Sequence, residues 1–270
     1  MSRSSGQPEW PFGKATLQKL TSKKYRQEYG YYLLEGAAAV KDALLLGGQL
    51  AGVIHDPRAR LREPDRTVLD LVLERGVPTR EMHQDEMGKL SDLKATPPLI
   101  AVLACTVRVD PSLPVSDSLV LALDGVADPG NVGTLLRAAA FYGIKEVWLG
   151  EGTAELYNPR VLRAAMSAHL HLRTCQPVDL VQTIQRARAA GARLHAAVLE
   201  PDNEPVAPAG EKGNIILLLG SEPHGIQQAL VDLADRRVAI SRLGPVDSLN
   251  VAMAGTVLLD RYTQNPGKET

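Results

Sequence analysis

The chain reads as an α/β protein in two parts, a small N-terminal α/β domain and a larger C-terminal α/β domain built on a parallel sheet. Three observations point there. Short apolar runs alternate with helix-patterned segments along most of the chain, as in βα units. Two runs, Leu119–Leu123 and Ile215–Leu219, are apolar at every position rather than at alternate ones, the mark of strands covered on both faces. Finally, residues 109–117 carry Pro111 and Pro114 among small polar residues and read as the linker between domains.

The elements follow in order. Residues 1–12 lack periodicity and are expected to be a loose N-terminus. Residues 17–27 read as a short basic helix and 29–34 as a strand closed by Glu35-Gly36. A helix over 37–46 stops at Gly47-Gly48. Strands over 50–55, 77–80 and 100–105 and a helix over 67–75 complete the first domain. It spans 13–107, with a linker over 108–117 and the second domain over 118–270. That domain opens with the strand at Leu119–Leu123, a loop over 124–133 and a helix over 134–142 ended by Gly143. A strand over 146–149 follows, then a helix over 159–168 with Pro159 in its first turn and a strand over 169–174. An amphipathic helix over 180–190 stops at Gly191. Strands over 193–199, 215–219 and 237–240 and a helix over 251–262 end the pattern.

At 270 residues, 44% hydrophobic and 23% charged, the chain has the make-up of an ordinary globular protein. Its net charge of −1 provides no general attraction to nucleic acid, so RNA binding requires a local patch. Lys14, Lys19, Lys23, Lys24 and Arg26 form one near the N-terminus. Cys105 and Cys175 lack metal spacing and read as buried free thiols in a reducing compartment. No signal-peptide core and no apolar run of 18 residues occurs, which predicts a soluble, cytoplasmic protein without a membrane partner.

Chemistry concentrates in three stretches. The first, Asp124 to Gly133, lies between a buried strand and a helix, where α/β proteins place ligands. Arg137 follows it among small and apolar residues, so it must either pair with Asp124 or Asp128 or point into a cleft. Asn131 reads as a site residue or as an ordinary helix cap. The second stretch is Gly220-Ser221-Glu222-Pro223-His224-Gly225. There Glu222 is a base, a ligand for a hydroxyl or a turn acceptor, and His224 is a solvent-facing turn residue. The third runs through Gly244-Pro245 to Ser248-Leu249-Asn250, with Ser248 and Asn250 at a helix start. Strand ends, glycine turns and a capped helix offer free backbone groups that suit an adenosine-like ligand better than a metal or bare phosphate. His169 and His171, alternating on a strand, read as an exposed face. Neither a dinucleotide fingerprint, a Walker loop, a zinc pattern nor a G-x-S-x-G elbow is present. A nicotinamide oxidoreductase is therefore excluded and no metal is expected.

Taken together, Asp124 … Asp128-Pro129-Gly130-Asn131-Val132-Gly133 … Arg137, Leu219-Gly220-Ser221-Glu222 … Gly225 and Ile240 … Gly244 … Ser248-Leu249-Asn250-Val251-Ala252 resemble the SpoU (TrmH-type) branch of the SPOUT RNA methyltransferases. Ser22-Lys23-Lys24-Tyr25-Arg26 … Leu34-Glu35-Gly36 resembles the substrate-binding domain of rRNA-directed members. The resemblance implies a C-terminal SPOUT domain with a deep trefoil knot, S-adenosylmethionine as cofactor, a homodimer, and methyl transfer to a ribose 2′-hydroxyl, with ribosomal RNA as the favoured substrate. It also implies that Leu219, Gly220, Ile240, Ser248, Leu249 and Asn250 hold the cofactor. Arg137, Asn131, Glu222, Ser248 and Asn250 would form the catalytic set, and Lys23, Lys24 and Arg26 would bind RNA.

The sequence departs from the family pattern in three places. Ser241-Arg242 replaces Pro-Met, residues 163–168 lack the usual Ser and Gly at their third and fifth places, and Asp260-Arg261 replaces a Tyr-Glu pair. Two alternatives stand beside the leading reading: a tRNA 2′-O-methyltransferase, and a non-catalytic RNA-binding assembly factor. The intact Asn131, Arg137, Glu222, Ser248 and Asn250 argue against the latter.

Overall fold

A computed structural model describes residues 10–59, 61–112, 117–199 and 213–264. The chain divides into two compact units, residues 1–106 and 107–270.

The first unit begins with two short helices, α1 (Lys14–Lys19) and α2 (Lys23–Tyr29), where the sequence pattern suggested one. The break has a local cause. Ser22 adopts an extended conformation as the N-cap of α2, and the carbonyls left open at the end of α1 are taken by a side chain described below. Strand β1 (Tyr31–Glu35) is followed by α3 (Ala37–Leu45), β2 (Leu50–His55), α4 (Asp65–Glu74), β3 (Thr79–Glu81), α5 (Gln84–Met87) and β4 (Leu99–Ala104). The sheet order is β1-β4-β2-β3, antiparallel except for the β2–β3 pair. One core cluster joins Leu33, Ile54, Ile100 and Val102 of the sheet to Leu17, Leu20, Met82, Met87 and Leu90. Phe12 belongs to it too and is buried, with its ring edge-on to Tyr31, so the end of the segment expected to be loose is anchored. Residues 1–9 lie outside the described residues.

The second unit incorporates the start of the expected linker. Arg108 bridges to Cys175 in parallel, and the Ser112 amide donates to the Glu146 carboxylate; residues 113–116 lie outside the described residues. Then come β5 (Leu119–Asp124), α6 (Pro129–Phe141), β6 (Glu146–Gly150), α7 (Pro159–Ala165), β7 (Arg173–Val178), α8 (Leu180–Ala189), β8 (Arg193–Ala197), β9 (Ile215–Gly220), α9 (Gln228–Asp232), β10 (Arg236–Val238) and α10 (Val251–Thr263). The six strands run in the order β10-β8-β9-β5-β6-β7, and every neighbouring pair is parallel. Both faces are covered, which accounts for the uninterrupted apolar runs of β5 and β9. Val120, Ala122, Ile216 and Leu218 pack with Trp148 and with Leu180, Ile184 and Ala187 of α8. The alternate residues Leu121, Leu123, Leu217 and Leu219 are equally buried, and α6 and α10 pack together on Leu219's side of the sheet.

From β5 the chain builds outward through β6 to β7, then returns to the other side of β5 with β8 and β9. The order therefore reverses between β5 and β9, a topological switch point. In that register Asp124 pairs with Gly220, so the loops leaving both strands emerge together. The start of α6 and the end of α7 differ from the sequence reading. α6 begins at Pro129, so Asn131 and Gly133 are helical rather than in a loop. Gly133 is required there: a Cβ would lie 2.4 Å from the Val161 carbonyl oxygen and 2.5 Å from the Ala164 Cβ. α7 ends at Ala165, and residues 168–171 form a 3-10 turn rather than a strand.

Candidate active site

Because all six strands are parallel, the carboxyl ends of β5, β9 and β10 lie on one edge of the sheet. Asp124 closes β5 with a buried carboxylate that accepts the Gln227 backbone amide (2.8 Å) and its side-chain amide (2.6 Å). The turn after β9 is thereby tied to the end of β5. Gly220 cannot carry a side chain, since a Cβ would sit 2.2 Å from the Gly225 carbonyl carbon. Ser221 and Gly225 close this turn with reciprocal backbone hydrogen bonds of 3.0 and 2.8 Å.

At this edge one carboxylate oxygen collects three donors. Glu222 Oε1 accepts from Asn131 Nδ2 (3.0 Å), Asn250 Nδ2 (2.6 Å) and the Val251 amide (3.2 Å). Asn250 Nδ2 also lies 2.9 Å from Asn131 Oδ1. The cap of α6 is Asp128, whose carboxylate accepts the Asn131 amide at 2.9 Å; the capping role open to Asn131 falls to its neighbour. Asn250 is the N-cap of α10, its Oδ1 accepting the amides of Ala252 and Met253. The first turn of α6, the turn after β9 and the start of α10 are thus clamped by three side chains far apart in sequence. Such charge-assisted bonds are the stronger class.

The other two members of the expected catalytic set lie outside this clamp. Ser248 is exposed in the loop ahead of α10. Arg137 stands six residues beyond Asn131, roughly 9 Å along the helix. It pairs with neither Asp124 nor Asp128, whose oxygens serve Gln227 and the α6 cap. Its Nη1 instead lies 3.0 Å from Met166 Sδ, a weak acceptor, and the side chain is exposed. A groove of about 350 Å³ runs past it, lined among others by Phe141, Lys145, Met166 and His171 and by no carboxylate. Met166 and Ser167 both have positive φ, 46° and 65°. Ser167 holds the fifth place of the segment where the resembling family has Gly, which the left-handed backbone explains. Neither Met166 nor Gln227 carried a sequence signal for its role.

The expected cofactor residues line the same edge. Leu219 is buried, Gly220 and Ile240 are half-buried, and Leu249 is exposed. Among the described residues no amide or carbonyl of 240–249 takes part in a backbone–backbone hydrogen bond. That open backbone, beside the apolar Leu219, Ile240 and Leu249, has the donors, acceptors and faces an adenine needs. Arg242, one of the departures, is occupied by Asp247 at 2.9 Å. No group of three or more His, Cys, Asp or Glu among the described residues could hold a metal, and no described helix is long and apolar enough to cross a membrane.

Three side-chain readings change. Arg26 is buried at 3% exposure and donates to the carbonyls of Leu20 (3.0 Å) and Thr21 (2.8 Å), so it closes α1 instead of facing RNA. Lys23 and Lys24 are exposed as expected, whereas Lys14 is paired with Glu86. His169 is buried in the 3-10 turn, and burial, with a smaller push from His171, lowers its pKa to about 4. Of the two thiols, Cys175 is buried and pushed up to about 11, chiefly by that burial, while Cys105 is half-buried. His224 is exposed in its turn, as the sequence suggested.

Comparison with known proteins places these features. Residues 15–101 match an MRM3-like substrate-binding domain. The chain is 28% identical to the Bacillus subtilis 23S rRNA (guanosine(2553)-2′-O)-methyltransferase RlmP, covering 90% of this chain and 92% of that protein. Among solved structures, a putative RNA methyltransferase of the TrmH family from Porphyromonas gingivalis superposes with a TM-score of 0.75 and 30% identity. It covers 92% of this chain and 96% of its own. The SpoU methyltransferase AviRb from Streptomyces viridochromogenes, solved with the cofactor AdoMet, shares the fold with a TM-score of 0.81 at 24% identity, over 93% and 96% of the two chains. The profile of the SpoU rRNA methylase family matches residues 118–260, more than half of the sequence, and the chain belongs to that family.

Proposed function

We propose that this chain uses S-adenosylmethionine to methylate a ribose 2′-hydroxyl of ribosomal RNA. The observation that carries this reading is the meeting of three segments at the switch-point edge, clamped through Glu222 and bordered by a loop of unengaged backbone groups. Bound there, S-adenosylmethionine supplies an electrophilic methyl group. Leu219, Gly220, Ile240 and Leu249 hold it by backbone groups and apolar contact, and Ser248 and Asn250 complete the pocket. Asn131 and Asn250 are engaged with Glu222 and the α10 cap, so they act by fixing the loop ends. Glu222 has one oxygen saturated; the other is its acceptor for a substrate hydroxyl.

Arg137 keeps its proton, since a guanidinium pKa lies above about 12. It therefore serves as a fixed cation that steadies the ribose oxygen as its proton passes to solvent water, and it grips a phosphate beside it. The groove next to it, with Arg137, Lys145 and His171 and no acidic lining, favours an anionic substrate. In this reading residues 13–107 bind RNA and 118–270 carry the transfer, with a trefoil-knotted C-terminal segment, in the cytoplasm. A homodimer is part of the same proposal. Met253 and Val257, one turn apart on α10, are 62% and 36% exposed, apolar surface outside the groove that a second copy would cover.

Incubation with methyl-labelled S-adenosylmethionine and unmodified ribosomal RNA, followed by nucleoside analysis, tests the reaction. A labelled 2′-O-methylnucleoside is expected. Label on a base, or on transfer RNA alone, would replace the substrate assignment, and no transfer with cofactor bound would favour a non-catalytic RNA-binding role.

A further inference from the structure

The first unit carries an aromatic and cationic surface that its fold does not consume. Tyr25 and Tyr29 lie four residues apart on α2 and therefore share a face. Their rings stack, with centroids 5.8 Å apart and an interplanar angle of 22°. Tyr29 packs against the core cluster, so Tyr25 forms the outer layer of a two-ring stack. Two ammonium groups lie over the outer ring in cation–π contact, Lys19 Nζ at 5.0 Å and Lys24 Nζ at 5.4 Å from its centroid, on flexible stems that can swing aside to a phosphate when a base stacks. Lys19 also donates to the Tyr29 hydroxyl at 3.5 Å, which ties α1 to α2 across their break. Lys23 is exposed on the same helix. Glu28, the one carboxylate on α2, leaves the group of Lys19, Lys23 and Lys24 with a local charge of +2 (three cations, one anion) in a chain whose net charge is −1. The buried Arg26 locks the orientation of α2 from within.

A ring backed by a second ring and bordered by lysines suits a particular ligand. Protein interfaces are depleted in lysine, and an RNA duplex offers phosphates but no free base face. An unpaired nucleotide offers both, a flat base to stack and phosphates for the ammonium groups. We propose that Tyr25, backed by Tyr29, is a stacking platform for an unpaired base of the RNA substrate, with Lys19 and Lys24 holding the phosphates on either side. This rests on the reading of the protein as RNA-directed but not on the methyl transfer itself.

The test uses the full-length protein, a labelled 12-nucleotide single-stranded RNA and a duplex of the same length, with affinity measured by anisotropy across a salt series. Tyr25→Ala and Tyr25→Leu are expected to weaken single-strand binding about 10- to 100-fold without changing the salt slope; Tyr25→Phe, which keeps the ring, retains it. The Lys19→Ala/Lys24→Ala double variant lowers the slope by about 1.4, two single-strand phosphate contacts at roughly 0.7 each. Undiminished binding by Tyr25→Leu, an equal loss on duplex, or no single-strand binding by the wild-type protein would each overturn the platform. Methyl transfer followed in parallel separates the two readings. Wild-type transfer with Tyr25-independent RNA binding removes the platform alone, whereas Tyr25-dependent binding without any transfer upholds the platform and removes the reaction.

Discussion

Arg26 and Arg137 have the same side chain in similar local settings, each on a helix of its own unit, yet the fold uses them in opposite ways. Arg26 meets the open carbonyls at the end of α1, is drawn inside and becomes part of the framework. Arg137 finds its candidate carboxylates already taken, Asp124 by Gln227 and Asp128 by the α6 cap, and is left facing solvent beside a thioether. A guanidinium is always charged and brings five donors. What it does is therefore decided by which acceptors its surroundings leave open. Around α1 they are unmet, and at the switch point they have been satisfied in advance.

Substitution at the two sites should separate them, with Arg137 giving the largest effect. Arg137→Ala is expected to lower the rate about a hundred- to a thousandfold, the loss of roughly 2.7–4 kcal/mol typical of a lost oxyanion donor, with the melting temperature unchanged. A single-turnover assay at saturating RNA reads this directly, and a full rate would remove Arg137 from the chemistry. Arg26→Ala should do the reverse. Losing charged hydrogen bonds inside the first unit costs about 2 kcal/mol, seen in denaturant unfolding, while the salt dependence of RNA binding stays at the wild-type slope. A flatter slope with full stability would instead make Arg26 a phosphate ligand.

A pH effect comes from the 3-10 turn that follows α7. His169 has a folded pKa of about 4 against an ordinary 6.5, because burial disfavours its charged form. Between those values the unfolded chain binds a proton that the folded chain does not. Stability should therefore fall as pH drops from about 6.5 to about 4, by up to ~3 kcal/mol from this group. Comparing urea midpoints of the wild type and His169→Gln at pH 7 and pH 5 checks it; an equal pH dependence in both would exclude His169 as the source. The smallest effect is expected at Ser167. Its left-handed backbone, φ 65°, is relieved by glycine, so Ser167→Gly should stabilise by up to about 1 kcal/mol, net of the extra freedom glycine gives the unfolded chain. A lower midpoint would mean the serine side chain contributes a compensating contact.

Much of this molecule is legible without coordinates, for identifiable reasons. The fully apolar runs at Leu119–Leu123 and Ile215–Leu219 are what a strand buried on both faces must be, and both are strands of one parallel sheet. Gly47, Gly143 and Gly191 each follow a helix, because the left-handed residue that ends a helix costs least as glycine. The motif residues Asn131, Glu222 and Asn250 were identifiable by type and order, and their mutual hydrogen bonds bring the three side chains together at one edge of the sheet. The fates of Arg26, His169 and Met166 were not legible. A charged or polar side chain in a sequence carries no record of whether an acceptor or a buried cleft awaits it. Neighbours that decide the matter, such as Gln227 for Asp124 across 103 positions of chain, come close only when the sheet reverses its order. Sequence by itself determined the layered α/β build, since burial patterns are local and periodic. Which polar groups are spent on the framework and which remain for chemistry was decided only by tertiary structure, because hydrogen-bond satisfaction depends on contacts between segments far apart in the chain.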